Sequence, residues 1–148
     1  MKKQIHTYWI LVASKNHVAR AIKESVAQAC HGKAHPLKRM SIGDGIIYYS
    51  PKLEFEKNIP CQEFTAIGFV SGEEVYAYDI GNGFIPYRRN IRYVDANPVQ
   101  IQPLIETLQF ITNKKQWGFK FRFGAFEISE TDFNLIAQEM RVNLQKTK

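Results

Sequence analysis

Residues 8–22 constrain the fold of this chain most, because they join a strand pattern directly to a helix pattern. Tyr8–Val12 is an unbroken run of aromatic and aliphatic residues, which is typical of a strand buried on both faces. Val18, Ala19 and Ile22 then recur at helical spacing. The pattern predicts a buried strand that passes into an amphipathic helix through a short, rigid junction.

The junction itself is rich in small polar side chains. Ser14 and Asn16 are both good helix N-cap residues, and His17 follows them. A helix N-terminus carries free N–H donors and a partial positive charge, so it is suited to holding a polar ligand. Two interpretations stay open: a ligand site, or a residue that only caps the helix.

The rest of the chain consists of short strand and helix patterns separated by turns. The patterns predict strands over residues 4–13, 46–50, 64–70, 75–80 and 117–124, helices over 15–29 and 97–113, a surface loop over 51–63, and a last helix capped by Ser129 or Thr131. There is no repeated βαβ rhythm. We therefore predict one α+β domain over residues 1–148, a small antiparallel β-barrel of about six strands flanked by two or three helices.

Positive charge is concentrated near the N-terminus. The net charge is +6, and the first 40 residues carry eight Lys or Arg against one Glu. Such a surface attracts phosphates, although ordinary solvating charge explains it equally well. The residues predicted to contact phosphate are Lys15, Arg20, Lys33, Lys38 and Arg39.

A second basic segment is interleaved with aromatics. Arg88 and Arg89 lie among Phe84, Tyr87 and Tyr93. Guanidinium groups bind phosphate and rings stack on bases, so the segment suits a nucleic-acid-binding face. A strand with one aromatic and one solvated face remains the alternative. In residues 117–124, phenylalanines alternate with basic residues, which predicts a strand with one apolar and one basic face.

Several chemistries are disfavoured by the sequence. Cys30, His31 and His35 are close together, but a glycine and a proline interrupt the helix that would align them, and no second ligand pair follows. Neither a metal nor another cofactor is predicted. The two cysteines form no disulfide framework, and no signal-peptide or membrane-spanning pattern is present, so a cytoplasmic protein is expected.

No catalytic constellation stands out. Ser14 and His17 would be a nucleophile and base about one helical turn apart, but no carboxylate can be named to orient the histidine. Glycine-rich phosphate loops are absent, and acidic residues are sparse in the distinctive segments. We predict a binding module and not an enzyme.

Five segments, in order along nearly the whole chain, resemble the EVE domain, a member of the PUA-like superfamily that also includes YTH and ASCH domains. They are Tyr8-Trp9-Ile10-Leu11-Val12-Ala13-Ser14 with Asn16-His17-Val18; Gly43-Asp44-x-Ile46-x-Tyr48-Tyr49-Ser50-Pro51; Ala66-Ile67-Gly68; Pro86-Tyr87-Arg88-Arg89; and Trp117-Gly118 through Phe126-Glu127-Ile128. The resemblance implies a small β-barrel flanked by helices with a pocket for a flat base.

The resemblance also implies a function and a set of site residues. It predicts a non-catalytic module that reads a modified or flipped nucleobase in RNA or DNA. The implied base-binding residues are Ser14, Asn16, His17, Tyr49, Ser50, Pro51, Arg88, Arg89 and Trp117. Aromatic rings would stack on the base, polar side chains would bond its edge, and the arginines would neutralise phosphate. The alternatives are an enzyme or accessory acting on a nucleotide-like small molecule, with His17 as base, and a protein-interaction module.

Overall fold

The computed structural model describes residues 6–28, 34–81 and 83–142. In these ranges the chain forms an eight-stranded sheet with three α-helices, and the α+β prediction is confirmed. The strands are β1 (Tyr8–Val12), β2 (Val26–Gln28), β3 (Gly45–Lys52), β4 (Pro60–Val70), β5 (Tyr76–Ala77), β6 (Tyr87–Tyr93), β7 (Val99–Gln100) and β8 (Ala125–Ile128). The α-helices are α1 (Lys15–Glu24), α2 (His35–Lys38) and α3 (Glu130–Glu139), and 3-10 helices span Gln102–Leu104, Lys114–Gln116 and Phe119–Phe123.

The sheet is mixed and curls into a half-barrel. Its strand order is β2-β6-β4-β3-β1-β8, with β5 paired to β6 and β7 paired to β4. The prediction of a purely antiparallel barrel is wrong in one respect, because β1 runs parallel to β3. A parallel neighbour needs a long crossover, and residues 13–44 supply it. Among the described residues, no helix is both long and apolar enough to cross a membrane.

Both faces of the sheet are buried in the middle. Trp9 and Leu11 of β1 pack with α1 on one face, whereas Ile10 packs on the other face with an aromatic cluster around Phe121 and Phe133. Alternate strand residues point to opposite faces, so the unbroken apolar run of β1 serves two cores. The prediction for this strand is therefore confirmed.

The first helix is shorter than its pattern predicts. It ends at Glu24, because Ser25 takes a left-handed conformation (φ 57°) that turns the chain out of the helix. The chain continues at once as β2, with Val26 opposite Asn90 of β6. Residues that were predicted as helix are thus a strand.

Residues 97–113 are not an α-helix, although the predicted stripe is buried. Ile101, Leu104 and Leu108 all lie in the core. The backbone N–H groups of Gln109 and Phe110 donate to the carboxylate of Asp132, each at 2.9 Å. A helix would have used those N–H groups for carbonyls four residues back, so the chain forms turns instead.

Residues 117–124, predicted as a strand with alternating phenylalanines, contain a helix instead. Phe119–Phe123 is a 3-10 helix. Phe121 is buried, whereas Phe119 and Phe123 are exposed and touch each other, with ring centroids 5.7 Å apart. In a 3-10 helix with three residues per turn, residues two apart point to different sides, so the three rings do not share a face.

The predicted loop over residues 51–63 contains parts of two strands. The register between β3 and β4 shifts twice, next to Tyr49 and between Ser50 and Lys52. Both shifts add a residue to β4, and Gln62 there has φ 56°. Such β-bulges bend a strand and redirect its side chains. The bulges therefore shape the sheet where β3 ends.

The predicted strand over 75–80 is reduced to the two residues of β5.

Candidate functional site

Three segments meet at one edge of the sheet. Because β1 and β3 are parallel, their carboxyl ends lie side by side, and the N–H of Ala13 donates to the carbonyl of Tyr49 at 3.2 Å. The N–H of Val12 donates to Gly124 at 2.9 Å, which brings the segment before β8 to the same edge. We call residues 13–17 and 49–55 the junction site. The structure thus brings together Ser14, Asn16, His17, Tyr49, Ser50 and Pro51 of the predicted set.

The side-chain amide of Asn16 is held in one orientation. Ser14 Oγ donates to Asn16 Oδ1 at 2.6 Å, and the backbone N–H of His17 donates to the same oxygen at 3.0 Å. The backbone N–H of Asn16 donates to Leu53 at 3.0 Å. Since the oxygen accepts both of these bonds and Asn16 is an exposed residue, the two N–H donors of its amide are left for a ligand. Ser14 is the N-cap residue by position, and its hydroxyl bonds Asn16 and not His17.

His17 lies against an exposed aromatic ring. Its imidazole is stacked on Phe55, with centroids 5.7 Å apart and planes 19° apart. Partial burial, followed by the charge of Arg20, lowers the pKa of His17. The lower pKa favours the neutral imidazole, which can both donate and accept a hydrogen bond.

Charged side chains of both signs lie around the exposed part of the junction site. Lys15 Nζ lies 3.0 Å from Glu63 Oε1, and the Cys61 thiol also donates to that oxygen at 3.4 Å. Burial raises the pKa of the Cys61 thiol, and the hydrogen bond to Glu63 raises it further. The thiol is consequently a poor nucleophile. Lys52 Nζ lies 5.6 Å from the centroid of the Phe55 ring.

Two of the predicted residues are completely interior. Ser50 shares a hydrogen bond of 2.8 Å with Thr65, which sits at the bulge of β4. Tyr49 stacks on Phe121 with centroids 3.9 Å apart, and burial raises the pKa of its hydroxyl well above the usual value. Tyr49 and Ser50 therefore pack inside the fold below the junction site, and their side chains do not reach the protein surface.

Trp117 belongs to a different surface. It is half-buried, with its ring edge-on to Phe121 at 6.5 Å, and it lines a cavity of about 300 Å³. The other lining residues are Phe110, Ile111, Thr112, Asn113, Gln116, Phe119, Lys120 and Phe123. None of the other eight predicted base-binding residues lines it. The prediction of a single pocket shared by Trp117 and the junction is therefore corrected to two neighbouring surfaces.

Arg88 and Arg89 do not join the junction site either. Both are about 5% exposed or less. Arg88 pairs with Glu24 at 2.6 Å and lies over the ring of Tyr78. Arg89 donates to the carbonyls of Leu37, Met40, Gly72 and Glu73, and its burial lowers its pKa. Their predicted role as phosphate ligands is corrected, because their donors are used inside the fold.

The predicted surface cations differ in their surroundings. Arg20 and Lys38 are exposed on α1 and α2, whereas Arg39 pairs with Glu127 at 2.8 Å and lies over the Trp9 ring. Lys33 falls outside the described residues. So do Cys30 and His31 of the disfavoured metal cluster. Across residues 6–28, 34–81 and 83–142, no group of three His, Cys, Asp or Glu is placed to hold a metal ion.

Sequence reasoning missed Lys52, Leu53 and Phe55 at the junction site and most of the cavity around Trp117. Phe55 follows a strand end inside an acidic loop, with no periodicity that marks it as a binding residue. The cavity residues had a usable signal, namely exposed-looking aromatics interleaved with Lys and Arg. The segment was predicted to be a strand, and the two-residue repeat of a strand puts Phe119, Phe121 and Phe123 on one face.

The curled mixed sheet with its flanking helices defines an α+β half-barrel domain. Two solved structures of low sequence identity share this fold. A hypothetical protein from Leishmania major matches with a TM-score of 0.58 at 12% identity, over 93% of this chain and 96% of that one. Rpa0253 from Rhodopseudomonas palustris matches with a TM-score of 0.54 at 14% identity, over 91% and 93%.

The chain belongs to the EVE domain family, whose model matches residues 7–139. A UPF0310 protein encoded in the gntR 5' region of Bacillus licheniformis is 50% identical over 127 residues, which is 86% of either chain. The UPF0310 protein YdcG of Bacillus subtilis is 42% identical over 137 residues, covering 93% of this chain and 94% of its own. The resemblance predicted from the sequence is confirmed.

Proposed function

We propose that this protein is a non-catalytic nucleic-acid-binding module that recognises the edge of a modified or flipped nucleobase at the junction site. The observation that carries the proposal is the fixed amide of Asn16. Its oxygen is occupied by Ser14 and His17, which orients the amide and leaves its two N–H donors for a ligand. A preorganised donor pair can bond an acceptor on a base edge without paying to order the side chain first.

The surroundings of Asn16 favour a base over other small ligands. The stacked rings of His17 and Phe55 offer an aromatic surface, and Phe55 is 59% exposed. Lys52 and Arg20 add positive charge for the phosphates of the strand that carries the base. Membership in the EVE family supports the same function.

The proposal is tested with Asn16→Asp. The substitution keeps an oxygen for Ser14 and His17, so the helix start is preserved, but it replaces the two outward donors with an acceptor. The matched control is Asn134→Asp, which makes the same charge change at an exposed position on α3. Binding would be measured by fluorescence anisotropy with single- and double-stranded DNA and RNA, each plain or carrying one modified base.

We expect the wild-type protein to prefer one modified oligonucleotide over its plain counterpart. Asn16→Asp should remove about 1–3 kcal/mol of that preference, a factor of about 5 to 150, because a buried hydrogen-bonding partner on the base is left unmet. Asn134→Asp should keep the preference. A preference that survives Asn16→Asp refutes the assignment of this site.

A further inference from the structure

The cavity around Trp117 is a second aromatic surface, separate from the junction site. Phe119 is 51% exposed and Phe123 is 65% exposed, and both rings border the cavity together with Trp117. Keeping three aromatic side chains at a surface is unfavourable in water. Exposed aromatic surface next to a cavity marks a place where a ligand binds.

Hydrogen bonds hold the turn that leads into the segment with these rings. Asn113 Oδ1 accepts the backbone N–H groups of Lys115 and Gln116 at 3.1 and 3.3 Å, which caps the 3-10 turn before Trp117. Lys114 Nζ donates to the carbonyls of Ile105 and Leu108 at 2.9 and 3.1 Å. These bonds give the exposed rings a defined backbone from which to extend.

The charge and chemistry of the cavity favour a nucleotide over an apolar protein segment. Residues 113–124 contain four Lys or Arg and no Asp or Glu. The guanidinium of Arg122 lies 5.3 Å from the centroid of the Phe119 ring, and Gln116 and Lys120 supply donors at the cavity wall. Aromatic rings combined with cations are the usual means of binding single-stranded nucleic acid.

The cavity and the junction site are neighbours along one edge. Phe123 is followed by Gly124, and the Gly124 carbonyl accepts the N–H of Val12. Val12 is two residues before Ser14 of the junction site. Phe121, the buried ring behind Trp117, stacks on Tyr49, whose carbonyl accepts the N–H of Ala13. These contacts place the residue after Phe123 and the ring behind Trp117 at the edge of the sheet that carries the junction site.

We propose that the cavity bordered by Trp117, Phe119 and Phe123 binds a flanking, unstacked nucleotide of the same single strand. This inference rests on the proposed function, and it adds what that function leaves open: the protein takes single-stranded nucleic acid and contacts more than one base. The flanking contact is independent of base identity, because every base has a face that can stack.

The test compares Phe123→Ala with a matched control, Phe84→Ala. Both rings are exposed, so neither substitution empties the core, and Phe84 lies on the hairpin between β5 and β6. The probes are modified and plain oligonucleotides of 2 and 12 nucleotides, and a 12-base-pair duplex. The second readout is the quenching of Trp117 fluorescence by the oligonucleotide. The variant Trp117→Phe retains only the buried Trp9, so its signal gives the Trp9 contribution to be subtracted.

We expect Phe123→Ala to weaken binding of the single-stranded 12-mer about five-fold or more, equally for modified and plain strands. Binding of the modified dinucleotide should change less, and Phe84→Ala should change neither. The 12-mer should quench Trp117, and the duplex should not. Wild-type affinity of Phe123→Ala for the 12-mer, or equal quenching by the duplex, overturns the inference.

The two proposals can fail separately. If Asn16→Asp removes the preference for a modified base while Phe123→Ala binds like wild type, the flanking site is refuted and the proposed function stands. If Phe123→Ala weakens binding while Asn16→Asp leaves the preference intact, the base is read elsewhere and the proposed function is refuted. If no single strand binds, the flanking site is refuted, and if no duplex binds either, the proposed function is refuted as well.

Discussion

Asp132 connects the last helix to the segment that leads into the Trp117 cavity, and Asp132→Asn tests that connection. The carboxylate is 1% exposed and accepts the backbone N–H groups of Gln109 and Phe110, each at 2.9 Å. An asparagine keeps one oxygen but turns an NH₂ group toward the other N–H. One hydrogen bond to a charged acceptor is then lost, and the second becomes a neutral one.

The magnitude follows from these two bonds. A hydrogen bond to a charged group contributes about 1.5–3 kcal/mol and a neutral one about 0.5–1.5 kcal/mol. The loss of one and the weakening of the other give a decrease of about 2–4 kcal/mol in the free energy of unfolding. For a domain of this size, that corresponds to a decrease of about 4–16 °C in Tm.

The assay is urea unfolding followed by circular dichroism and tryptophan fluorescence, with an unchanged m value as the sign that the unfolded state is unaltered. The control is Glu139→Gln, the same change of carboxylate to amide at an exposed position of α3. We expect the control to lie within about 0.5 kcal/mol of wild type. A loss below about 1 kcal/mol for Asp132→Asn would contradict the role assigned to the two N–H bonds.

Two further predictions concern buried polar groups. Burial raises the pKa of Tyr48 to about 12, so the folded state holds this proton more tightly than the unfolded chain, and the free energy of unfolding decreases as the pH rises from about 10 to 12. Urea unfolding at several pH values should show a decrease in Tyr48→Phe that is shallower than in wild type by about 1.4 kcal/mol per pH unit. Equal slopes in the two proteins would refute the reasoning. Arg89→Lys should lower the free energy of unfolding by about 2–4 kcal/mol, because an ammonium group cannot replace a guanidinium group bonded to four carbonyls. The control is Arg122→Lys, the same change at an exposed position. Similar Tm values for both variants would count against this explanation.

The parts of the fold that the sequence predicted correctly are those with local signals. The run Tyr8–Val12 is a strand because apolar side chains are needed on both of its faces, and α1 begins where Ser14 ends the strand. Ser129 caps α3 by accepting the N–H of Asp132 at 3.1 Å. In each case the residues that determine the structure are within a few positions of one another.

The parts that were missed depend on partners far away in the chain. The stripe that includes Ile101 and Leu108 was correctly predicted to be buried, but its backbone is set by Asp132, more than twenty residues later. Arg89 was expected at a surface, and only the folded chain supplies the carbonyls of Leu37 and Met40 that hold it inside. A pattern of residue types contains no information about such contacts.

The same limit applies to the candidate site. Ser14, Asn16 and His17 are close together in sequence, and the parallel pairing of β1 with β3 brings Tyr49, Ser50 and Pro51 beside them, although Tyr49 and Ser50 are buried. Trp117 lies beyond that edge because the segment preceding β8 coils into 3-10 turns. The two surfaces can be told apart only when the chain path around this edge is known.

The position of β1 between β3 and β8 has a consequence for biosynthesis. Tyr8 pairs with Gly45 on one side and with Ile128 on the other, so this strand cannot be fully paired until residue 128 has left the ribosome. Until then one edge of an apolar strand is open to pairing with other chains. Sheets closed by such distant contacts fold slowly. We therefore expect chains truncated before β8 to be prone to aggregation during synthesis, even though they contain the whole junction site.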